Sequence, residues 1–387
     1  MRIAFLTGTR ADWSKLRPLV AAACSGMHRP ESDEIAAHQW DHEPHVIVTG
    51  MHLSERHGMT AIEVERDCRG TGAGGVFGMD RDPIRAWQIP SGIESGRLAH
   101  VASRTIDLVS HALAVIKPDL LVVHGDRTEA LAGAFAAASE GIPVAHVEGG
   151  EDSGGIDDRI RYAVTALATH HFVSNRDAAE RLQPVVPDDE RIHVIGSPEI
   201  DTLLGPLPSF AEAIDRYDIP WEPGDYGICV YHPVVHDDEP PDMGAALCKA
   251  LVLSERNWIV LTPNADPGEH EIRAWVDALN ESDHFRVLPS MRFELFAVLL
   301  RDAAVIVGNS SCGVREAPVL GTPTVNVGVR QSDRTQNGLV RHVEDADAGA
   351  MLAHIAELWG QRFERVLEFG DGHAAERFVR ALEEIGG

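Results

Sequence analysis

The chain has 387 residues, of which 44% are hydrophobic and 24% charged, a composition that excludes a disordered or fibrous protein and suffices for two domains. Its 60 acidic and 34 basic residues give a formal charge of −26, so the surface should repel nucleic acid and anionic lipid. No apolar run approaches the roughly 20 residues of a membrane helix, and the scattered cysteines contain no CxxC pair, so we expect a cytoplasmic protein without disulfides or zinc.

Short runs rich in Val and Ile alternate with helical stretches, a pattern typical of parallel sheets buried on both faces. The first series of predicted strands is Ile3–Leu6, His45–Thr49, Leu120–His124, Val144–Val147 and His171–Ser174. The second series is Ile192–Ile195, Ile228–Tyr231, Ile259–Thr262, Phe285–Leu288, Val305–Val307 and Thr324–Val327. The predicted helices between them include Ser95–Ile116, Glu129–Glu140 and Asp158–Ala168. The alternation predicts an α/β protein with two doubly wound, Rossmann-like domains around a cleft.

The division between the domains is predicted near residues 175–190, where a proline-containing and then acidic segment interrupts the alternation. We place the N-terminal domain at residues 1–178 and the C-terminal domain at residues 179–369. The last helix, about Ala374–Ile385 within residues 370–387, is predicted to pack back on the first domain.

A candidate anion site follows the predicted strand AVIVG, in the segment Asn309-Ser310-Ser311-Cys312-Gly313. Free backbone N–H groups and two hydroxyls at the start of a helix would hold a diphosphate. Glu316, one turn later, could accept hydrogen bonds from ribose hydroxyls. The alternative is a serine N-cap without a ligand.

Arg10 follows the first strand, in TGTRAD, where it could reach a phosphate. The alternative is an ordinary surface arginine. The GxGxxG dinucleotide fingerprint is absent, so no nicotinamide cofactor is expected.

Candidate acid and base groups lie at neighbouring strand ends. Asp126 and Arg127 follow VVHG, Glu148 follows the next strand, and Asp157 opens a helix. Clustered carboxylates suit proton transfer because burial and like charges separate their pKa values, although each one singly could be a helix cap. His232, after CVY, could donate to a phosphate or move a proton. The histidines at 38, 42 and 45 lack the spacing of a metal site.

Several motifs together resemble those of UDP-N-acetylglucosamine 2-epimerases, from residue 3 to about residue 345. They are TGTRADWSKLRPL, VVHGDRTEALA, AHVEGGEDSGGIDDRIRYAVTALATHHFVS, YHPV, PNAD and GNSSCGVREAPVLGTPTVNVGVRQ. The resemblance is strongest to the hydrolysing branch, which makes N-acetylmannosamine and UDP. It implies a glycosyltransferase-B-like fold and UDP-N-acetylglucosamine and UDP as ligands, with neither cofactor nor metal. We also expect a homodimer or homotetramer.

The resemblance also implies roles for single residues. The implied substrate-binding residues are Arg10, Ser14, Arg127, Arg161, His232, Asn264, Ser310, Ser311, Glu316 and Arg330. The implied catalytic residues are the carboxylates Asp126, Glu148 and Asp157, with Asp12 and His52 near the sugar and His232. The implied mechanism is anti elimination of UDP across C1–C2 to a 2-acetamidoglucal. Water then adds at C1 with protonation at C2, or UDP returns.

Two departures from the family pattern leave alternatives open. Tyr162 replaces a histidine usual in the family, and the segments around Gly70–Gly78 and Trp87 match poorly, which leaves the sugar undetermined. Ala11-Asp12, where the non-hydrolysing branch has Pro-Glu, favours the hydrolysing branch. The alternatives are a non-hydrolysing epimerase, the same chemistry on a UDP-diacetamido sugar, a glycosyltransferase, and an inactive sugar-nucleotide sensor.

Overall fold

The computed structural model describes residues 1–25, 42–69, 85–90, 97–152, 155–234, 242–263, 268–331 and 337–386. The chain divides into two compact units. Unit 1 contains Met1–Glu151, Asp157–Asp201 and Phe369–Gly387, and unit 2 contains Asp152–Ile156 and Thr202–Glu368. Each unit is built on a parallel sheet with helices between the strands, which confirms the predicted α/β class with two Rossmann-like domains.

Unit 1 alternates strand and helix along most of its length. Its strands are β1 (Arg2–Thr7), β2 (Glu43–Val48), β3 (Arg85–Gln88), β4 (Leu120–His124), β5 (Val144–Val147), β6 (His170–Val173) and β7 (Ile192–Val194). Its helices are α1 (Arg10–Ser25), α2 (Ala61–Arg69), α3 (Leu98–Ile116), α4 (Thr128–Ser139), α5 (Gly155–Leu167), α6 (Arg176–Leu182) and α7 (Pro198–Leu204), which runs into unit 2.

The sheet of unit 1 has the strand order β3-β2-β1-β4-β5-β6-β7. The order reverses between β1 and β4, which pair from Ile3–Leu120 to Phe5–Val122. In open parallel sheets, ligands bind beyond the carboxyl ends of the strands at such a switch point. Residues 8–12, 125–127 and 148–151 follow β1, β4 and β5 there. We call these segments the switch-point edge.

Unit 2 repeats this plan with six strands. Its elements are α8 (Phe210–Tyr217), β8 (Tyr226–Val230), α9 (Met243–Leu253), β9 (Asn257–Leu261), α10 (Glu269–Leu279), β10 (Phe285–Leu288), α11 (Phe293–Asp302), β11 (Ile306–Gly308), α12 (Glu316–Leu320), β12 (Thr324–Val327), β13 (Val340–Val343) and α13 (Ala348–Leu358). The parallel order β10-β9-β8-β11-β12-β13 reverses between β8 and β11. The segments after these two strands are therefore where a ligand of unit 2 is expected.

The C-terminal helix α14 (Ala374–Gly386) returns to the core of unit 1, where it packs with α1. The ring of Phe378 meets that of Phe172 edge-on at 4.8 Å between centroids and lies 6.3 Å from that of Phe5. Asp201 accepts hydrogen bonds from the first two N–H groups of α14, at 2.9 and 2.7 Å. These bonds satisfy backbone donors that a helix leaves unpaired at its start.

Three edge strands differ from the sequence-based expectation. The sequence predicts Ile192–Ile195 at the head of the second series, but β7 pairs with β6 from His171–Ile192 to Val173–Val194. Unit 1 therefore continues to Asp201, beyond the predicted limit at residue 178. β3 and β13 were not predicted, because short edge strands are only partly buried and lack a long apolar run. In contrast, α4, α5 and α14 coincide with predicted helices to within one turn.

Within the ranges given above, no helix is both long enough and apolar enough to cross a membrane.

The packing of α14 predicts that the core of unit 1 depends on the last residues of the chain. Phe378→Ala should lower the free energy of unfolding by about 3–5 kcal/mol, the usual cost of truncating a fully buried phenylalanine. Arg380→Ala, on the exposed face of the same helix, should change it by less than about 0.5 kcal/mol. Urea unfolding of both variants would check this. Equal stability of Phe378→Ala and the native protein would contradict the packing.

Candidate functional site

The turn after β1 is closed by Asp12, in the first turn of α1. Its Oδ2 accepts hydrogen bonds from the backbone N–H groups of Gly8 at 3.2 Å and Thr9 at 3.0 Å. Burial acts to raise the pKa of Asp12, but hydrogen bonding to His124 and the positive charges of His124 and Arg127 outweigh it, so the pKa lies below its usual value. Asp12 is therefore an ionised cap of the turn.

His124 ends β4 and connects the segment after β1 with the segment after β5. Its Nδ1 lies 3.0 Å from Asp12 Oδ1, and its Nε2 lies 3.0 Å from Glu148 Oε2. Burial acts to lower the pKa of His124, but its hydrogen bonds to Asp12 and Glu148 and their charges raise it to about 9. At neutral pH the ring is an imidazolium that donates to both carboxylates.

Glu148 has the most constrained backbone of this edge. Its φ of 61° lies in the left-handed region, at a cost of about 1–3 kcal/mol for a residue with a side chain. Its backbone N–H donates to Phe172 O at 2.8 Å, and its carboxyl group contacts His124, Ser197 and Lys15. With only 4% of its surface exposed, the side chain is held in one place by several partners.

Three residues of this network were not predicted from the sequence. They are Lys15 of α1, Ser197 directly before α7, and Glu199 within α7. Lys15 Nζ lies 2.5 Å from Glu199 Oε1 and 3.6 Å from Glu148 Oε2. Ser197 and Glu199 have no exposed surface. One sequence signal could have indicated Lys15. It lies on the same face of α1 as Asp12 and Leu19, which is the buried face, where an apolar residue is expected.

Asp126 is paired with Arg161, which reaches it from α5. Arg161 also donates to Asp158 Oδ1 at 2.7 Å and to the carbonyl oxygen of Glu151 at 2.5 Å. Burial acts to lower the pKa of Arg161, but the charges of Asp126 and its neighbours, including Asp157, raise it. A permanently charged arginine therefore favours the ionised form of Asp126. From the sequence, Arg161 was expected only as a substrate-binding residue.

Arg10 and Ser14 lie on the first turns of α1. Arg10 Nη2 pairs with Glu63 Oε1 at 2.7 Å. Its Nε and Nη1 are buried and have no hydrogen-bond partner within the described part of the chain. These N–H groups could donate to an anionic ligand. Ser14 donates its hydroxyl to the carbonyl oxygen of Ala11 at 2.7 Å.

His52 lies in the segment after β2. It has no exposed surface, and its Nε2 and Nδ1 lie 2.9 and 2.6 Å from the hydroxyls of Thr7 and Thr60. Burial lowers its pKa to about 4, so the ring is neutral. Both nitrogens are thus engaged within unit 1, and the role of His52 near the sugar remains a prediction. Tyr162, which replaces the usual family histidine, is exposed on α5.

In unit 2, Asn309 joins the segments after β8 and β11. Its Oδ1 accepts from the backbone N–H of His232 at 2.8 Å, and its Nδ2 donates to the carbonyl oxygen of His232 at 2.9 Å. This pairing fixes His232 at the switch point of the second sheet. Gly308 permits the close approach, since a Cβ there would lie 2.0 Å from Val230 O.

The segment after β11 is a short 3-10 turn over Ser311–Gly313, followed by the five-residue helix α12, which begins at Glu316. The sequence predicted the start of a helix at Asn309–Gly313. Because the structure has only a short turn there and a five-residue helix after it, the helix dipole available to an anion is smaller than expected. The Ser310 hydroxyl oxygen accepts from Cys312 N at 3.5 Å, and Glu316 is buried. Arg330 is partly buried, and Asn264 lies outside the described residues.

Among the described residues, no group of three or more His, Cys, Asp or Glu side chains is placed to hold a metal ion.

Comparison with solved structures supports the fold. A crystal structure of UDP-GlcNAc 2-epimerase from Methanocaldococcus jannaschii in complex with UDP-GlcNAc and UDP has a TM-score of 0.75, with 99% of this chain and 100% of that chain covered. At 20% identity the match shows the fold alone, which is the predicted glycosyltransferase-B-like fold with two Rossmann-like domains.

Sequence comparison shows the family. The family model of UDP-N-acetylglucosamine 2-epimerase matches residues 33–383. A UDP-N-acetylglucosamine 2-epimerase from Neisseria meningitidis serogroup B is 39% identical, with 89% of this chain and 84% of that protein covered. A UDP-N,N'-diacetylbacillosamine 2-epimerase (hydrolyzing) from Legionella pneumophila is 28% identical, with 99% and 96% covered. The chain belongs to the UDP-N-acetylglucosamine 2-epimerase family, as its motifs predicted.

The raised pKa of His124 predicts a loss of stability in alkaline solution. Folded His124 keeps its proton up to about pH 9, whereas an unfolded histidine loses it near pH 6.5. The contribution of the His124 charge to the free energy of unfolding is therefore complete below about pH 6.5. It is lost as the pH rises towards 9, by at most about 1.4 kcal/mol per pH unit.

Urea unfolding between pH 7.5 and 9 would test this. His124→Gln should flatten the decline, while His52→Gln should keep the native slope, because above about pH 7.5 His52 is neutral both in the folded protein, where its pKa is about 4, and in the unfolded chain. Identical slopes for His124→Gln and the native protein would refute the charged ring.

Proposed function

We propose that this protein is a UDP-N-acetylglucosamine 2-epimerase that removes UDP by anti elimination and then adds water, releasing N-acetylmannosamine. Family membership supports the epimerase chemistry. The observation that carries the proposal is the set of differently partnered carboxyl groups at the switch-point edge, above all the partly buried Asp126 and the buried Glu148. Removing the weakly acidic proton at C2 requires a positioned base, and inversion at C2 requires proton delivery on the opposite face.

We assign the proton transfers to residues of unit 1. Asp126, kept ionised by Arg161, acts as the base that removes the C2 proton. Glu148 and Asp157 are the further acid/base candidates, and Asp12 acts through His124. The unpartnered N–H groups of Arg10 are suited to an oxygen of the anionic substrate, because the overall charge of −26 must be overcome locally.

We assign the binding of UDP to unit 2. Ser310, Ser311 and the N–H groups of their turn are proposed to hold the diphosphate, with Glu316 accepting from the ribose. His232, fixed through Asn309, is proposed to stabilise the departing oxyanion. Arg330, Asn264, Arg127, Arg161 and Ser14 remain predicted substrate contacts. The homo-oligomer and the cytoplasmic location also remain predictions.

Two observations support the hydrolysing outcome. The segment Ala11-Asp12 departs from the Pro-Glu of the non-hydrolysing branch. Relatives from Legionella pneumophila and Campylobacter jejuni, at 28% and 26% identity, are named as hydrolyzing enzymes for diacetylbacillosamine nucleotides. Those names also favour a UDP-diacetamido sugar as the second candidate substrate. A non-hydrolysing enzyme would instead return UDP-N-acetylmannosamine.

Proton NMR of UDP-N-acetylglucosamine incubated with the protein in D2O, with EDTA and without added NAD, tests the proposal directly. We expect free N-acetylmannosamine carrying deuterium at C2, because elimination removes that proton and solvent supplies the next one. UDP-N-acetylmannosamine would show the non-hydrolysing outcome. Turnover only after addition of a divalent metal or NAD would refute the proposed chemistry. Turnover only of a UDP-diacetamido sugar would assign that substrate.

The carboxylates are predicted to serve chemistry rather than folding. Asp126→Asn and Glu148→Gln should bind UDP with native affinity and lose about 10²–10⁴-fold in kcat, the range for general acid–base groups. Asp119→Asn is the matched control, since this carboxylate accepts from Arg2 N at the opposite end of β4 and should leave kcat unchanged. Steady-state kinetics and UDP calorimetry would check this. Native kcat in both Asp126→Asn and Glu148→Gln would remove the proposed mechanism.

A further inference from the structure

Ser197 lies between two glutamates. Its Oγ is within hydrogen-bonding distance of Glu148 Oε1 and lies 2.7 Å from Glu199 Oε2. A serine hydroxyl has one proton to donate, and an ionised carboxylate has none. Both contacts are therefore hydrogen bonds only when one of the two carboxyl groups carries a proton.

Both carboxyl groups lie in the interior. Glu148 is 4% exposed and Glu199 has no exposed surface. A proton shared through Ser197 is therefore shielded from bulk water.

We propose that Glu148, Ser197 and Glu199 form a proton relay that holds one proton and delivers it through Glu148. The shared proton follows from the geometry alone, and its use in the reaction rests on the proposed function. Lys15, Ser197 and Glu199 are thereby positioning residues that act through Glu148.

A cation faces each end of the relay. His124 contacts Glu148, and Lys15 lies 2.5 Å from Glu199 and 3.6 Å from Glu148. Asp201, two residues after Glu199, has a raised pKa, chiefly because it is buried, although hydrogen bonds from the N–H groups of Ala374 and Ala375 act to lower it. Because both carboxyl groups have a positive neighbour, the proton can move between them without leaving either charge isolated.

The transfer conserves protons. Glu199 gives its proton to Ser197 Oγ while Ser197 gives its own hydroxyl proton to Glu148. Glu199 becomes a carboxylate, Ser197 is unchanged, and Glu148 becomes a carboxylic acid that protonates C2 of the glucal as water adds at C1. The relay regains its proton from solvent after the product leaves. Asp126, ion-paired with Arg161, is thus the base of the elimination, and Glu148 is the acid of the addition.

The shared proton can be measured without substrate. In infrared spectra at pH 7.5 the carbonyl stretch of a protonated carboxyl group is separate from the bands of carboxylates. We expect this band in the native protein and its loss in Glu199→Gln, since the remaining Glu148 then faces His124 and Lys15 and ionises. Ser174→Ala, which removes another buried serine–glutamate hydrogen bond (2.8 Å, to Glu151), should keep the band. A native spectrum identical to that of Glu199→Gln would overturn the shared proton.

Analysis of the reaction products tests whether the shared proton is used in the reaction. With UDP-N-acetylglucosamine, Ser197→Ala and Glu199→Gln should lower kcat about 10-fold or more with KM nearly unchanged, because a slow proton supply limits turnover. Both should release 2-acetamidoglucal and UDP, since elimination by Asp126 persists while protonation at C2 slows. Ser197→Thr, which keeps the hydroxyl, should restore turnover relative to Ser197→Ala. A purely structural role would change stability without releasing the glucal.

The two proposals fail in different ways. If the native protein turns over no UDP-sugar, the proposed function fails and the infrared result still decides whether the proton is shared. If the native protein is active and both variants keep native kcat without glucal, the relay is overturned and the proposed function stands.

Discussion

A single buried cation, the imidazolium of His124, holds the switch-point edge together. One of its nitrogens contacts Asp12, which caps the turn after β1, and the other contacts Glu148, which follows β5. The start of α1, with Arg10, and the carboxyl group of Glu148 are thus positioned by the same ring. A neutral replacement would leave buried carboxylates without their partner, a loss of about 3–5 kcal/mol for a broken buried ion pair.

The constraint at Glu148 is also built into the backbone. Its left-handed φ is unusual for a residue with a side chain, and Gly150 two residues later has a φ of 77°, where a Cβ would lie 2.3 Å from Ala178 O. The chain therefore turns sharply after β5. Such strain persists only where the surrounding contacts enforce it, and at Glu148 the contacts to His124, Ser197 and Lys15 do so. The strain and the buried charges are concentrated at the same residue.

The elements that could be predicted are those with a local signal. Long apolar strands and amphipathic helices such as α5 and α14 show one, whereas the edge strands β3 and β13 do not, and the partner of β7 is set by tertiary pairing. Asp126 and Glu148 became candidates because they follow strands, and the structure places both at the switch-point edge. Ser197 and Glu199 were missed because Ser-Pro-Glu also begins an ordinary helix, and α7 does begin there. The burial of His52 could not be predicted, because it follows only from contacts with Thr7 and Thr60.

Asp126 and Glu148 follow adjacent strands of one sheet, yet their neighbours suit them to opposite tasks. Asp126 faces a buried guanidinium that cannot give up its charge, so its ionised form is favoured. Glu148 faces a histidine and a lysine, but also a serine that connects it to a second carboxyl group. Inversion at a carbon requires one group ready to accept a proton and another ready to give one. In the proposed reaction, the surroundings of the two carboxyl groups, rather than the carboxyl groups themselves, supply that difference.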